Sequence, residues 1–240
     1  SFLNSFDFRY NSFTGRLPQE MARLRRLRYI NLSFNKFSGE VPSWFGFLPN
    51  LQYLFIANNS FTGSLPLSLS NASKLEVLNV QFNQLQGNIP QEIGNLGKLK
   101  ILNLQGNQLT GSMPPAVFNI SSLQRLSLTS NSISGILPVN MCFNLPKIQA
   151  IFLSTNQFSG QIQSRFKNCS ELQVLALSIN KFSGAIPGEI GNLTMLSIIS
   201  LGDNSFQGLL LNISMCHFAL LIFHRDSHTA ASNIVLIIYT

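Results

Sequence analysis

The chain has 240 residues, and only 10% are charged, against about 25% in an ordinary globular domain; Ser, Asn and Gln supply its polar surface instead. The formal net charge is +7, much of it from Arg16, Arg23, Arg25, Arg26 and Arg28. No zinc spacing, RNA-binding signature or basic helix accompanies these arginines, which argues against a nucleic-acid partner, and no apolar run of 18 residues is present to span a membrane.

From the N-terminus onward one phrase, N-x-apolar-x-G, is repeated nine times. It reads Asn11–Gly15, Asn35–Gly39, Asn59–Gly63, Asn83–Gly87, Asn107–Gly111, Asn131–Gly135, Asn156–Gly160, Asn180–Gly184 and Asn204–Gly208. Successive Asn residues are 24 apart, with one step of 25 between Asn131 and Asn156. A period in this range marks one supersecondary unit stacked many times. Length alone allows one or two domains, but the repeat predicts a single elongated domain over residues 3–208.

Each unit starts with L-x-x-L-x-L-x-x-N, as in Leu99, Leu102, Leu104 and Asn107. The L-x-L step has period two and predicts a short strand with one face buried. One coil cannot bury its own apolar residues, whereas stacked coils turn them into a continuous core. The Asn is expected to be structural, since buried turn backbone needs partners and its side chain both donates and accepts. Two residues later come Phe13, Phe37, Phe61, Leu85, Leu109, Ile133, Phe158, Phe182 and Phe206, an expected apolar and partly aromatic spine. The Gly after it suits a positive φ or a close approach between coils. Pro follows three residues later in seven repeats, and this predicts a turn into a short helical or 3₁₀ return on the convex side. Arg23–Arg26 fall on such a return and read as a solvated face.

Of the three cysteines, Cys169 stands where other repeats carry Leu96, Ile120, Leu145 or Leu193, and reads as a buried small hydrophobe. A bridge to Cys142, in the repeat with the extra residue, is the alternative, and spacing alone does not choose between them. N-x-[ST] sequons occur at Asn31, Asn58, Asn71, Asn119, Asn168, Asn192 and Asn212. Asn71, Asn119, Asn168 and Asn192 share one place in the repeat, on the return side, and are the expected glycosylation sites.

The whole repeat, L-x-x-L-x-x-L-x-L-x-x-N-x-[LF]-x-G-x-[IL]-P, resembles the plant-specific class of leucine-rich repeats, with Leu96 to Pro114 a close match. Runs such as Ile186–Leu196, I-P-G-E-I-G-N-L-T-M-L, are similar to ectodomains of plant leucine-rich-repeat receptor-like kinases, including the group of bacterial-pattern immune receptors. The resemblance implies an α/β repeat fold: a right-handed solenoid with a concave parallel β-sheet and convex short helical or 3₁₀ segments. It implies an extracellular module held at the plasma membrane by segments missing from this chain. Such a module recognises a peptide or protein ligand, recruits a co-receptor kinase and acts in immune or developmental signalling. No cofactor or metal is implied. Related secreted proteins inhibit cell-wall-degrading enzymes, and that role is the alternative, together with a truncated, non-functional receptor fragment. The chain departs from the family in starting at Leu3 inside a repeat and in lacking an N-terminal cysteine-paired cap and a kinase domain, so it is not expected to be an enzyme.

After Gly208 the pattern fails, and residues 209–240 are expected to form a poorly ordered tail. That tail contains His224-Arg225-Asp226, the kinase catalytic-loop tripeptide, but Ala231 stands where the loop needs Asn. Cys216, His217, His224 and His228 match no metal-ligand spacing.

Residues between and beside each L-x-L pair are expected to face concave solvent. The candidate ligand contacts are Tyr29, Phe34, Tyr53, Phe55, Phe82, Arg125, Phe152 and Asp203, because aromatic and Arg side chains anchor interfaces. The aromatic residues of the second to fourth repeats place a ligand there. Asn31 lies on the same surface and is expected to carry little glycan.

Overall fold

The L-x-L triplets form the strands that the pattern predicts. The computed structural model describes residues 2–208 and 220–222. One three-residue strand per repeat lies in a ten-stranded parallel sheet: Ser5–Asp7, Tyr29–Asn31, Tyr53–Phe55, Val77–Asn79, Ile101–Asn103, Arg125–Ser127, Ala150–Phe152, Val174–Ala176, Ile198–Ser200 and Leu220–Ile222. They are called here the first to tenth rungs. The register is constant, with Tyr29 opposite Tyr53, Tyr53 opposite Val77, and so on. At about 4.8 Å between neighbouring strands, the first nine rungs span on the order of 40 Å.

The middle residue of each triplet is buried from Phe6 and Ile30 through Leu102 to Ile199. With Leu27, Leu51, Leu75 and Leu99 before the strands and Leu32, Leu104 and Leu128 after them, these residues form one continuous core along the stack. Each fully buried aliphatic side chain contributes about 1.5–3 kcal/mol, and each touches the coils on both sides.

Beyond each strand the backbone turns at a left-handed residue directly before the ladder Asn: Tyr10, Phe34, Asn58, Phe82, Gly106, Ser130, Thr155, Ile179 and Asp203. The phrase glycines also have positive φ, as expected. At Gly111 a Cβ would in addition stand 2.2 Å from Asn88 Oδ1 on the previous coil. Between these two turns the chain forms short parallel pairings of a second kind, Thr14–Gly15 with Lys36–Glu40 and Ser60–Thr62, Gln86–Asn88 with Gln108–Thr110, and a third group from Ser134–Gly135 to Ser205–Phe206.

The return is a 3₁₀ turn opened by an extended Pro in most coils, for example Gln91–Asn95 after Pro90. Gly46, in the turn Ser43–Phe47, touches the next coil so closely that a Cβ would sit 1.8 Å from Ser68 O. The 25-residue repeat differs. Its extra residue converts the 3₁₀ turn into an α-turn, Met141–Asn144, in which Leu145 N–H bonds to Met141 O at 2.9 Å. It also pushes Phe143 outward to 79% exposure.

The reading of Cys169 as a free buried hydrophobe is corrected here. Cys142 and Cys169 are disulfide-bonded, with Cα atoms 4.7 Å apart. They are 27 residues apart in sequence, but stacking places them on facing positions of adjacent coils. The tail 209–240 lies outside the described residues apart from Leu220–Ile222. These three residues pair with Ile198–Ser200 as the tenth rung, so the sheet continues one strand past the last repeat phrase. The His224-Arg225-Asp226 tripeptide and Cys216, His217 and His228 also lie outside the described residues.

Candidate ligand-recognition face

The Asn ladder holds the rungs in register. Asn83 Oδ1 accepts the Phe61 N–H of the previous coil at 3.0 Å. Its Nδ2 donates to Ile56 O of that coil and to Val80 O and Gln81 O of its own. The same bridge recurs at Asn35, Asn59, Asn107, Asn131, Asn156, Asn180 and Asn204. Asn11, in the first coil, donates only within its own turn, to Phe8 O and Arg9 O. Among the described residues no buried side-chain N or O atom lacks a partner. Beside the ladder the spine stacks its rings. Phe13–Phe37 and Phe37–Phe61 are 6.0 and 6.4 Å apart, and Phe158–Phe182 and Phe182–Phe206 are both 6.3 Å apart. Leu85, Leu109 and Ile133 fill the middle of the row.

On the concave sheet, the first and third residues of the first nine strands point away from the core. Tyr29, Tyr53 and Phe55 are half-buried and form one cluster across the second and third rungs. The Tyr29 ring lies 6.1 Å from Tyr53 and 5.7 Å from Phe55, tilted to both. The cluster meets an ion pair: Lys100 Nζ is 2.7 Å from Glu76 Oε2, and the Tyr53 hydroxyl donates to the same oxygen at 3.4 Å. The Lys100 hydrogen bond, supported by its charge and by Tyr53, holds the Glu76 carboxyl below its ordinary pKa, and Glu76 in turn raises that of Lys100. Beyond the pair, Asn103 Nδ2 donates to Gln81 Oε1 at 2.8 Å. The sequence carried a signal for both contacts that the strand pattern alone did not use: Glu76 and Lys100 are one 24-residue period apart, and Asn103 and Gln81 are close to one.

Three candidates lie elsewhere than expected. Phe34, Phe82 and Asp203 are not strand residues; they occupy the left-handed turn that follows the strand. The strands stop after three residues because the chain must turn into the ladder. Phe34 is 41% exposed and stacks on Tyr10 at 4.4 Å, and Phe82, 46% exposed, lies against the backbone of Gly106. These two rings flank the sheet beside the Tyr29 cluster. Farther along, Arg125 is exposed with its guanidinium over the Phe152 ring at 5.6 Å, and Asp203 is exposed near the last repeat. Arg125, Phe152 and Asp203 are thus not brought together with the aromatic cluster.

Several positions read as solvent-facing are buried by neighbouring rungs: Asn31, Ser33, Ala57, Val77, Ser127 and Ala150. Asn31 is 5% exposed; its Oδ1 accepts Ser33 N–H and its Nδ2 donates to the Tyr29 hydroxyl. Asn71, Asn119, Asn168 and Asn192 are exposed and end the 3₁₀ turns Leu67–Asn71, Pro115–Asn119, Ser164–Asn168 and Gly188–Asn192, away from the concave sheet.

Leucine-rich-repeat family models match residues 97–158 and, separately, 26–48, 50–72, 74–96 and 171–193, together more than half of the chain. The chain belongs to the leucine-rich-repeat family. Its repeats are of the kind that builds plant receptor-kinase ectodomains. It is 32% identical to the ectodomain of the membrane receptor kinase GASSHO1/SCHENGEN3 of Arabidopsis thaliana, solved with CASPARIAN STRIP INTEGRITY FACTOR 2, at a TM-score of 0.87 over 92% of this chain and 26% of that one. It is 30% identical to the Arabidopsis receptor kinase HAESA, solved with the peptide hormone IDA and the co-receptor SERK1, at a TM-score of 0.82 over 93% of this chain and 39% of that one. This leucine-rich-repeat chain therefore spans between about a quarter and two-fifths of those ectodomains. A plant ice-binding protein shares the fold at 26% identity and a TM-score of 0.80, over 95% of this chain and 77% of that one. No curated protein matches the sequence.

Proposed function

We propose that the chain is a ligand-recognition segment of the extracellular part of a plant leucine-rich-repeat receptor-like kinase, binding an extended peptide or a protein loop on its concave sheet. The observation that carries this reading is the Tyr29–Tyr53–Phe55 cluster with the Glu76–Lys100 pair at its border. Three large rings are kept half-open on adjacent rungs, where the equivalent positions of most other repeats carry aliphatic, small or polar residues. Such rings supply contact area at low entropic cost, and the ion pair supplies a polar anchor beside them. Two plant receptor ectodomains with this fold were solved with ligands, one of them a peptide hormone. The segment has no catalytic role of its own and works at the outer side of the plasma membrane. A co-receptor kinase joins the complex, and Asn71, Asn119, Asn168 and Asn192 carry glycans on the far side. Among the described residues no helix is long and apolar enough to cross a membrane.

A panel of secreted plant peptides screened against the chain tests the reading. The peptide retained should lose its binding in the Tyr53→Ala, Phe55→Ala double variant, while the thermal unfolding midpoint stays within a few degrees of the parent. Unchanged binding by that variant would move the ligand off this cluster.

A further inference from the structure

The lateral edge of the solenoid where the strands begin carries an uncompensated line of positive charge. Three residues before the strand stand Arg26, Lys74, Lys98 and Lys147, on the second, fourth, fifth and seventh coils, and directly before the strand stands Arg28 on the second. All five are exposed. Backbone bonds confirm that the register reaches this edge: Gln52 N–H bonds to Arg28 O, Glu76 N–H to Gln52 O and Lys100 N–H to Glu76 O. The one carboxylate on the edge between the second and seventh coils, Glu76, is taken by Lys100. Among the described residues the only other ion pair is Arg9–Asp7. Lys74 donates to Asn50 Oδ1 and Arg26 covers the Phe2 ring, and neither contact removes a charge. Glu171 ends the line at the eighth coil.

We propose that this edge docks a linear acidic polysaccharide of the polyuronate class. Five rung steps of about 4.8 Å place the cations along roughly 24 Å of edge. An extended chain of linked uronate rings advances nearly one rung per ring and presents a carboxylate at regular intervals. The positions between the cations are filled by Asn50, Gln52, Ser122, Gln124 and Gln149, hydrogen-bonding side chains suited to sugar hydroxyls. A protein partner would need an aromatic or aliphatic anchor, and neither of these two columns carries one between the second and seventh coils. The edge adjoins the concave aromatic cluster at the Glu76–Lys100 pair, where the Tyr53 hydroxyl reaches Glu76, while Arg26, Lys74, Lys98 and Lys147 stand one column farther out.

The test is binding of the full 240-residue chain to polygalacturonate at low and at physiological salt. Binding should weaken with salt, as it does when fixed cations release counterions from a polyanion. The variant Arg26→Gln, Lys74→Gln, Lys98→Gln, Lys147→Gln should weaken it by at least about tenfold with an unchanged unfolding midpoint. Arg16→Gln, Lys36→Gln, on the opposite edge, should change it less than about twofold, and Phe55→Ala should leave it intact. The proposal is overturned if the parent does not bind at low salt, if the fourfold variant binds equally well, or if polyglutamate or single-stranded DNA binds as tightly as polygalacturonate.

Discussion

The second to fourth rungs and the seventh to ninth share one strand register and one Asn ladder, and each group lies beside its own stack of Phe rings, yet their concave surfaces differ. The N-terminal group presents Tyr29, Tyr53 and Phe55, with Asn79 beyond them. The C-terminal group presents mainly small or aliphatic residues: Val174, Ala176, Ile198 and Ser200, with Phe152 under Arg125. The C-terminal group instead holds the Cys142–Cys169 bridge and the α-turn of the longer repeat. The core columns are set by the needs of stacking and repeat unchanged. Most outward positions are freer of that need and differ from rung to rung, so the proposed recognition residues and the core residues are different members of the same strand.

The largest expected difference concerns the bridge. Opening a loop of this size costs about 2–4 kcal/mol, and a solenoid distributes such a loss over neighbouring coils only. Cys142→Ala, Cys169→Ala should therefore speed amide exchange in the seventh and eighth rungs and leave Tyr29–Phe55 nearly unchanged. Uniform loss of protection along the whole chain would show that the two groups are one cooperative unit.

Next comes binding. Truncating two central aromatic anchors should cost about a thousandfold in affinity, since each hot-spot side chain is worth about 2 kcal/mol or more and about 1.4 kcal/mol is tenfold. The matching change on the other group, Phe152→Ala, Val174→Ala, should cost less than about threefold. Equal losses from the two variants would mean that the ligand runs along the entire sheet.

The ladder sharpens the comparison between interior and end. Asn83→Ala leaves the buried Phe61 N–H without its acceptor and takes one of two donors from each of the Ile56, Val80 and Gln81 carbonyls, at about 1–3 kcal/mol by chemical denaturation. Asn11→Ala, which removes two exposed bonds within one turn, should cost clearly less. Similar costs at the two sites would show that the cross-coil bonds add little.

The smallest effect is expected from pH. Glu76 has its pKa lowered chiefly by the Lys100 hydrogen bond, so its contribution is complete above the ordinary carboxylate range and is lost as pH falls through the lowered value. Lys100 has its pKa raised, so its contribution is lost only as pH climbs through that raised value. Glu76→Gln should flatten the acid side of a melting-temperature profile recorded from about pH 7 down to about pH 3. An identical slope in parent and variant would show that the pair contributes nothing to the fold.

Much of the fold was legible in the sequence because stacking imposes a strict translational repeat, and a repeat is visible without coordinates. The strand triplets, the left-handed Gly, the Asn at each turn and the 3₁₀ returns after Pro all follow from the 24-residue period. The candidate face was legible only in part. Phe34 and Phe82 read as strand residues because alternation does not say where a strand stops; the left-handed turn ends it after three residues. Asn31 and Ala150 read as open because one coil seen alone has an open face, and the rungs beside it close that face. The bridge was undecided for the same reason. Twenty-seven residues of chain separate Cys142 from Cys169, and only the packing of one coil on the next brings their Cα atoms to 4.7 Å. The sequence alone determined what every coil has in common, since those residues satisfy the backbone and core of any stacked unit. The tertiary structure decided what passes between coils, namely the bridge, the aromatic cluster, the Glu76–Lys100 pair and the row of cations along one edge, because each depends on neighbours that exist only once the coils are stacked.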